Sequence, residues 1–145
     1  MADDTHGTID LEVTTSVDED VRDLIGEGLD ASNIARAGPY NREEVWIVAR
    51  DATGSVLGGL KGQIDYQWLM VDWLWCHPDH RRRGLGSRLM RACEAIASAK
   101  GCVGIYLQTA TYQAPAFYRH LGYCEFGRLD ELLPGHAMIW LQKRL

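Results

Sequence analysis

The sequence predicts an α+β domain built on one mixed, mostly antiparallel sheet. Three observations lead to this: strand-length apolar or alternating runs, two helical segments in the second half, and glycine-containing turns between them. The predicted order is β-α-βββ-α-β-α-ββ, with hairpins first and strand–helix–strand units afterwards. The 145 residues suit one core, so we expect a single domain spanning 1–145.

The first third of the chain predicts a strand followed by a helix. "IDLEVT", Ile9 to Thr14, alternates apolar and polar residues as a half-buried strand does. Ser16, with Glu19 three residues later, forms the pattern of a capping box and predicts a helix start. Gly38 and Pro39 predict the end of that helix.

The middle of the chain predicts three consecutive strands. "EVWIVARD" (44–51) and "SVLGGLKGQIDY" (55–66) flank a short turn and indicate a hairpin. "WLMVDWLWC" (68–76) is almost continuously apolar and fits either a buried strand or a buried helix. Its length of about nine residues and its tryptophans favour the strand.

The last part predicts two strand–helix units and a final pair of strands. "GLGSRLMRACEAIASAK" (84–100) is an amphipathic helix that Gly101 ends. A strand at 102–109 and a short helix at 113–122 follow. "YCEFG" and "HAMIWLQKRL" are the last two strands.

Charge and composition narrow the class of protein. Net charge is −5, but residues 1–40 hold ten acidic side chains and two arginines. This acidic front suits a cationic partner or amine, or is a solvated helix face. The sequence has no membrane-length apolar run, and its start, "MADDTHGTID", is unlike a secretory signal, so we expect a cytoplasmic protein. The four cysteines match no metal spacing and are expected to be free thiols.

One stretch, "CHPDHRRRGLGSRL" (76–89), predicts an anion site. The first turn of a helix leaves backbone N–H groups unpaired, and glycines at 84 and 86 allow a ligand close to them. This favours a phosphate or pyrophosphate, although a solvated turn explains the stretch taken alone. A nucleic-acid patch is disfavoured because one short basic cluster in a chain of pI about 5.5 neutralises few phosphates.

A second segment makes a family resemblance clear. "LWCHPDHRRRGLGSRLM" resembles the acetyl-coenzyme A signature of the GNAT superfamily of N-acetyltransferases, with Arg81, Gly84 and Gly86 in its key places. "APAFYRHLGY" resembles that family's second motif; the matching residues are Ala114, Phe117, Tyr118, Gly122 and Tyr123. The resemblance implies a GNAT fold with helices on both faces of the sheet. It also implies acetyl transfer from acetyl-coenzyme A to a primary amine by direct attack.

The resemblance implies a set of cofactor contacts from the end of the central strand, the glycine turn and the second motif. Thr111 stands where the family often has an asparagine, and its hydroxyl is expected to replace part of that contact. The expected cofactor-binding residues are Leu74, Trp75, Cys76, Arg81, Arg82, Arg83, Gly84, Leu85, Gly86, Ser87, Thr111, Ala114, Phe117 and Tyr118. The segment between the first helix and the second strand is where substrate-contacting loops lie in this fold, which makes Tyr40, Glu43 and Glu44 candidates.

Three residues are expected to perform the chemistry. Tyr118 is the expected general acid for the departing thiolate, with packing as the alternative role. The backbone N–H of Cys76 is the expected oxyanion donor; an acyl-carrying thiol is the alternative, but His77, the nearest base, points to the opposite face. Asp72 is the expected general base, since strand alternation puts Met70, Asp72, Leu74 and Cys76 on one face.

Alternatives remain open at this point. Asp72 could instead form a buried ion pair, with Glu43, Glu44 or His77 as reserve bases. The competing functions are a coenzyme A-binding module without turnover, the transfer of another acyl group, and transfer to another acceptor. The acceptor itself, a small-molecule or peptide amine, is not identified. The strand tryptophans suggest a homodimer; a nucleic-acid or membrane partner is not expected, nor a metal.

Overall fold

The computed structural model describes residues 9–145. The expectation drawn from the opening residues, that they are unlike a secretory signal, therefore falls mostly outside the described residues. The chain divides into two units, Met1–Pro39 and Tyr40–Leu145. In the described range no helix is both long and apolar enough to cross a membrane. Whether the whole chain acts as a single domain stays a prediction.

The first unit contains helix α1, Glu19–Ala37. Asp18 is its N-cap residue and makes no side-chain cap, so the predicted capping box at Ser16 is wrong. The physical reason is local: the Thr14 hydroxyl donates to the Ser16 carbonyl at 2.8 Å and closes a separate turn there. The predicted end is confirmed, because Gly38 adopts a φ of 83° and donates to the Ile34 carbonyl.

The predicted first strand at 9–14 is also wrong, because these described residues form no strand. Alternation gives a segment the side-chain pattern of a strand, but strand formation requires a partner for its backbone hydrogen bonds. The apolar side chains of Ile9, Leu11 and Val13 are exposed.

The second unit is one six-stranded sheet with two helices, which confirms the predicted α+β class. The strand order is β1-β2-β3-β4-β6-β5, and only the β3–β4 pair is parallel. The elements are β1 (Glu43–Arg50), β2 (Val56–Asp65), β3 (Trp68–Cys76), a 3-10 helix (Pro78–His80), α2 (Leu85–Ala99), β4 (Gly104–Ala110), α3 (Pro115–His120), β5 (Cys124–Leu133) and β6 (His136–Arg144).

The core lies between α2 and the inner face of the sheet. Alternate residues of β2 and β3 turn inward, and α2 presents a buried apolar stripe, as period-2 and period-3.6 patterns require. The most buried side chains on these elements are Leu60, Ile64, Leu69, Val71, Leu89, Met90 and Cys93.

Strand β3 contains a β-bulge at Asp72. Lys61 of β2 pairs with Trp73, and the next β2 residue, Gly62, pairs with Val71, which leaves Asp72 without a cross-strand partner. A bulge bends its strand and breaks the alternation of side chains. The expected common face of Met70, Asp72, Leu74 and Cys76 is therefore wrong: Leu74 and Cys76 share the inner face with Val71, whereas Asp72 contacts the outer-face Lys61.

The parallel pairing of β3 with β4 stops halfway. It runs from Trp68↔Gly104 to Val71↔Leu107, although β3 continues to Cys76 and β4 to Ala110. The stop coincides with the bulge. Beyond it, one backbone edge of β3 has no strand beside it, and polar backbone groups of that kind need another partner.

Candidate active site

A cavity of about 890 Å³ lies where β3 and β4 stop pairing. Its walls come from four parts of the second unit: the end of β3, the turn and first residues of α2, the end of β4 with the following turn, and α3. Most of the residues expected from the sequence to bind a cofactor line it. They are Leu74, Trp75, Cys76, Arg81, Arg82, Gly84, Leu85, Gly86, Ser87, Ala114, Phe117 and Tyr118.

The start of α2 provides unpaired N–H groups at one end of the cavity. Gly84 is the N-cap residue and makes no side-chain cap, and the first turn contains no acidic residue. Gly84 has a φ of 78°, a conformation that costs an L side chain about 1–2 kcal/mol. Such a helix start favours an anion.

At Gly86 the reason for a glycine is steric rather than conformational. A Cβ at this position would lie 3.1 Å from the Phe117 ring and 3.7 Å from the Cys76 sulfur. The absent side chain therefore lets α2, α3 and the end of β3 meet at one wall of the cavity.

The three consecutive arginines have different positions. Arg81 donates from Nε to the Cys76 carbonyl at 3.2 Å, which fixes the turn to the end of β3. Arg82 lines the cavity and adopts a φ of 59°, an unusual conformation for a residue other than glycine. Arg83 is not among the lining residues, in contrast to the expectation that all three contact the cofactor.

The backbone of Cys76 faces the cavity. The next residue, His77, donates its N–H to Leu57 of β2 at 2.8 Å. Because successive N–H groups along a strand point to opposite edges, the Cys76 N–H points away from β2, toward the unpaired edge. The Arg81 contact with the Cys76 carbonyl lies on that same edge.

The Cys76 thiol is not activated. Burial raises its pKa, and this effect outweighs the opposing influence of the Arg81 guanidinium. A reactive cysteine has a lowered pKa. The neighbouring His77 instead accepts from the Asp79 N–H at 3.2 Å, so its imidazole is not paired with the thiol. Both observations disfavour an acyl-cysteine intermediate.

Tyr118 reaches the cavity from α3. Pro115 begins this short helix at a position where a missing N–H costs nothing. The Tyr118 ring packs against the core and lies 5.0 Å from the Phe117 ring and 6.2 Å from the Tyr123 ring. Burial, and secondarily the nearby Cys76 thiol, raise the pKa of Tyr118 above its ordinary value of 10. The phenol therefore keeps its proton at neutral pH.

Asp72 lines the cavity and forms an ion pair. Its Oδ2 lies 3.5 Å from the Lys61 Nζ, and both side chains are largely covered, with 25% and 20% exposure. The carboxylate is thus neither alone among apolar residues nor fully buried. Its position at the bulge directs it to the outer side of the sheet, opposite the inward-facing Leu74 and Cys76.

Some expected site residues are elsewhere. The Thr111 hydroxyl accepts from the Ala137 N–H at 3.0 Å and contacts His136 Nδ1 at 3.2 Å, and Thr111 does not line the cavity. Three expected substrate contacts are also absent from its lining. Glu43 pairs with Lys100, and Glu44 lies 3.7 Å from the Lys61 ammonium. The Tyr40 ring contacts the tilted Tyr66 ring and lies under the Arg42 guanidinium.

Eight lining residues were missed; they are Val71, Trp73, His80, Leu107, Gln108, Thr109, Tyr112 and Gln113. The Gln113 Oε1 accepts from the Ala110 N–H at 2.8 Å and from the Thr109 hydroxyl at 3.1 Å, which closes the turn after β4. A signal was available for those of them at or just after the carboxyl end of β4, because ligands of α/β units bind at the carboxyl ends of parallel strands. Within residues 9–145 no cluster of His, Cys, Asp or Glu could hold a metal ion.

Comparisons with known proteins agree on one family. Residues 41–125 match the model of the acetyltransferase (GNAT) domain. An acetyltransferase of Agrobacterium fabrum is 32% identical over 88% of this chain and 93% of its own length. The blasticidin-S acetyltransferase of Streptomyces morookaense is 41% identical over 63% of this chain and 68% of its own. The crystal structure of an acetyltransferase from Bacillus cereus superposes with a TM-score of 0.85 at 30% identity, covering 92% and 98% of the two chains.

Proposed function

The chain belongs to the GNAT family of acetyltransferases, and from this premise we propose that it transfers the acetyl group of acetyl-coenzyme A to a primary amine by direct attack in a ternary complex. The observation that carries the proposal is the cavity between β3 and β4, which combines an anion-binding helix start, an unpaired strand edge and a protonated tyrosine. The blasticidin-S relative supports an amine acceptor by analogy.

The residues present fit acetyl-coenzyme A. The pyrophosphate is proposed to contact the N–H groups that follow Gly84, with Arg81 and Arg82 adding positive charge. The extended pantetheine arm is proposed to pair with the free edge of β3 at Leu74 and Cys76, as an added strand would. This arrangement ends with the thioester beside Cys76.

Cys76, Tyr118 and Asp72 then each have one proposed role in the reaction. The Cys76 N–H donates to the carbonyl oxygen as negative charge develops, an interaction worth about 3 kcal/mol in other enzymes. The amine nitrogen bonds to the carbonyl carbon and the carbon–sulfur bond breaks. Tyr118 gives its proton to the departing sulfur, and Asp72 accepts the proton that the amine loses.

Gly84→Ala is expected to weaken coenzyme A binding about tenfold, because the strained turn would shift the N–H groups that follow it. Gly101→Ala is a matched control: both glycines have a φ of 78° and open space where a Cβ would stand, but Gly101 ends α2 away from the cavity. Both substitutions are expected to lower the free energy of unfolding by about 1 kcal/mol. Equal coenzyme A affinities in the two variants, measured by calorimetry, would contradict the proposed pyrophosphate contact.

The reaction itself is tested by thiol release. Purified protein is mixed with acetyl-coenzyme A and a panel of primary amines at several pH values, and free coenzyme A is measured with a thiol reagent. We expect release that depends on the amine and an acetylated product of matching mass. Coenzyme A binding without release across the panel would refute turnover and favour a binding module.

Three further parts of the proposal derive from sequence. We place the protein in the cytoplasm, we treat residues 1–145 as one catalytic domain, and we expect a homodimer. Sedimentation velocity at micromolar concentration tests the last of these.

A further inference from the structure

An aromatic and charged cluster covers the outer face of the sheet beside the cavity. It consists of Glu44 and Trp46 on β1, Lys61 on β2, and Asp72 and Trp73 on β3, and we call it the tryptophan–acid cluster. The Trp46 and Trp73 rings meet edge to face with centroids 5.8 Å apart. Both indoles are exposed, by 55% and 62%, which is unusual for such large apolar side chains.

The cluster already holds an ammonium group. Lys61 Nζ lies 5.0 Å from the Trp73 ring and 5.9 Å from the Trp46 ring. The same atom lies 3.5 Å from Asp72 and 3.7 Å from Glu44. Two indole faces and two carboxylates therefore surround one cation, which leaves one negative charge in excess. Lys61 shows what kind of group this surface stabilises.

The cluster is continuous with the cavity. Asp72 and Trp73 line it, and so does Trp75, the next outward residue of β3, which is 47% exposed. Leu74 and Cys76, which are proposed to hold the thioester arm, lie on the inner face of the same strand. An acceptor on the outer face would thus approach the thioester from the opposite side of β3.

A second copy of the chain is the competing occupant for the exposed indoles. Cores of protein–protein interfaces are depleted in charged residues. Here the Lys61 ammonium contacts both rings and two carboxylates, and one of the carboxylates opens into the cavity. This composition fits a small cationic ligand better than a protein surface, so we expect the proposed homodimer to form through another surface.

We propose that the tryptophan–acid cluster is the acceptor subsite and that the acceptor is an amine whose ammonium is carried next to a planar, apolar ring. The inference rests on the proposed function and names its substrate class. The ring stacks on Trp73 while the ammonium contacts Asp72. The Asp72 carboxylate takes one ammonium proton and releases it to solvent, and the neutral nitrogen attacks the thioester carbonyl. On amide formation the nitrogen gives its second proton to the Tyr118 phenolate that remains after the sulfur is protonated.

Binding of three matched probes to the coenzyme A-saturated protein tests the subsite without turnover. Tryptamine has a ring and a charge, butylamine has only the charge, and tryptophol has only the ring; both amines are protonated at pH 7. Calorimetry should give tryptamine an affinity about tenfold above either other probe. Trp73→Leu should remove that advantage, whereas Trp68→Leu, on the same strand but outside the cavity lining, should keep it.

The substitution Lys61→Met tests whether the Lys61 ammonium occupies the place of the ligand ammonium. Removing the internal ammonium should raise tryptamine affinity about fivefold, because the ligand no longer competes with Lys61 for the carboxylates. Lys100→Met is the control: it breaks the ion pair with Glu43, which lies outside the cavity lining, and should leave the tryptamine affinity unchanged. Circular dichroism confirms that each variant folds.

Equal affinities for the three probes, or no loss in Trp73→Leu, would overturn the subsite. The subsite would also be overturned if the protein formed a dimer and tryptamine bound only on dissociation of that dimer, whether or not Trp73 was replaced. Selective binding in a protein that releases no thiol would refute the proposed reaction and leave the subsite standing. The two proposals therefore fail by different results.

Discussion

Replacing Tyr118 by Phe is expected to lower kcat by about 10²–10³-fold while coenzyme A affinity changes by less than about twofold. The substitution keeps the ring that packs against Phe117 and the core, and removes only the hydroxyl. The departing thiolate then has no proton donor at this position. Steady-state kinetics and calorimetry give the two values separately.

The raised pKa of the Cys76 thiol indicates that this part of the cavity disfavours a thiolate. Burial raises its pKa despite the nearby Arg81 guanidinium. A coenzyme A thiolate released beside Cys76 would experience the same desolvation and so become a stronger base. It can then take a proton even from a phenol whose own pKa is raised. Because that pKa lies above 10, Tyr118 stays protonated through pH 7–9 and should cause no loss of kcat in that range.

Tyr123→Phe is the matched control. Tyr123 is a neighbouring, buried tyrosine whose hydroxyl donates to Glu94 at 3.1 Å, and burial together with that carboxylate raises its pKa. Losing this hydrogen bond is expected to reduce the free energy of unfolding by about 1.5–3 kcal/mol. We expect kcat at a temperature well below unfolding to be unchanged. If Tyr118→Phe retained wild-type kcat, packing would be its role and not proton donation.

Asp72→Asn is expected to lower turnover at pH 7 by about 10²-fold, because an amine of pKa about 10 then lacks a group to accept its proton. The variant depends on amine that is already neutral in solution. Its rate should therefore rise about tenfold per pH unit toward pH 10, whereas the wild-type rate rises less steeply. Initial rates of thiol release between pH 7 and 10 measure both slopes.

Glu44→Gln separates the base from its neighbour. Glu44 shares Lys61 with Asp72 but does not line the cavity. This substitution should weaken binding of cationic amines without steepening the pH dependence. If Glu44→Gln showed the steep slope and Asp72→Asn did not, the proton acceptor would be Glu44.

Local sequence patterns were enough to predict most elements of the second unit. The apolar run 68–76 is a strand, and the helix after Gly84 is in place, because length, periodicity and turn residues act within each segment. The strand expected at 9–14 and the cap at Ser16 failed where formation depends on partners that a pattern does not specify. The Thr14 hydroxyl competes for the Ser16 backbone, and alternation alone provides no neighbouring strand.

The site was predictable where its residues are close in sequence. Cys76 to Ser87 form one continuous segment from the end of β3 to the first turn of α2, so their common position follows from the glycines and the helix start. The Lys61–Asp72 pair was not predictable, since it depends on the β2–β3 register and on a bulge that breaks the alternation between Asp72 and Trp73. Gln113 lies just after β4, where a ligand contact was predictable, but the two hydrogen bonds by which it closes the turn depend on the folded chain.

The bulge at Asp72 has a consequence for how this enzyme family can diversify. Asp72 has no backbone partner across the strand, so exchange of its side chain disturbs the β2–β3 register less than exchange at the paired positions beside it. The position nevertheless opens into the cavity. Because Asp72 is also the proposed proton acceptor, exchanges there must keep a carboxylate, so Asp72→Glu is a natural starting point for laboratory evolution of acceptor specificity.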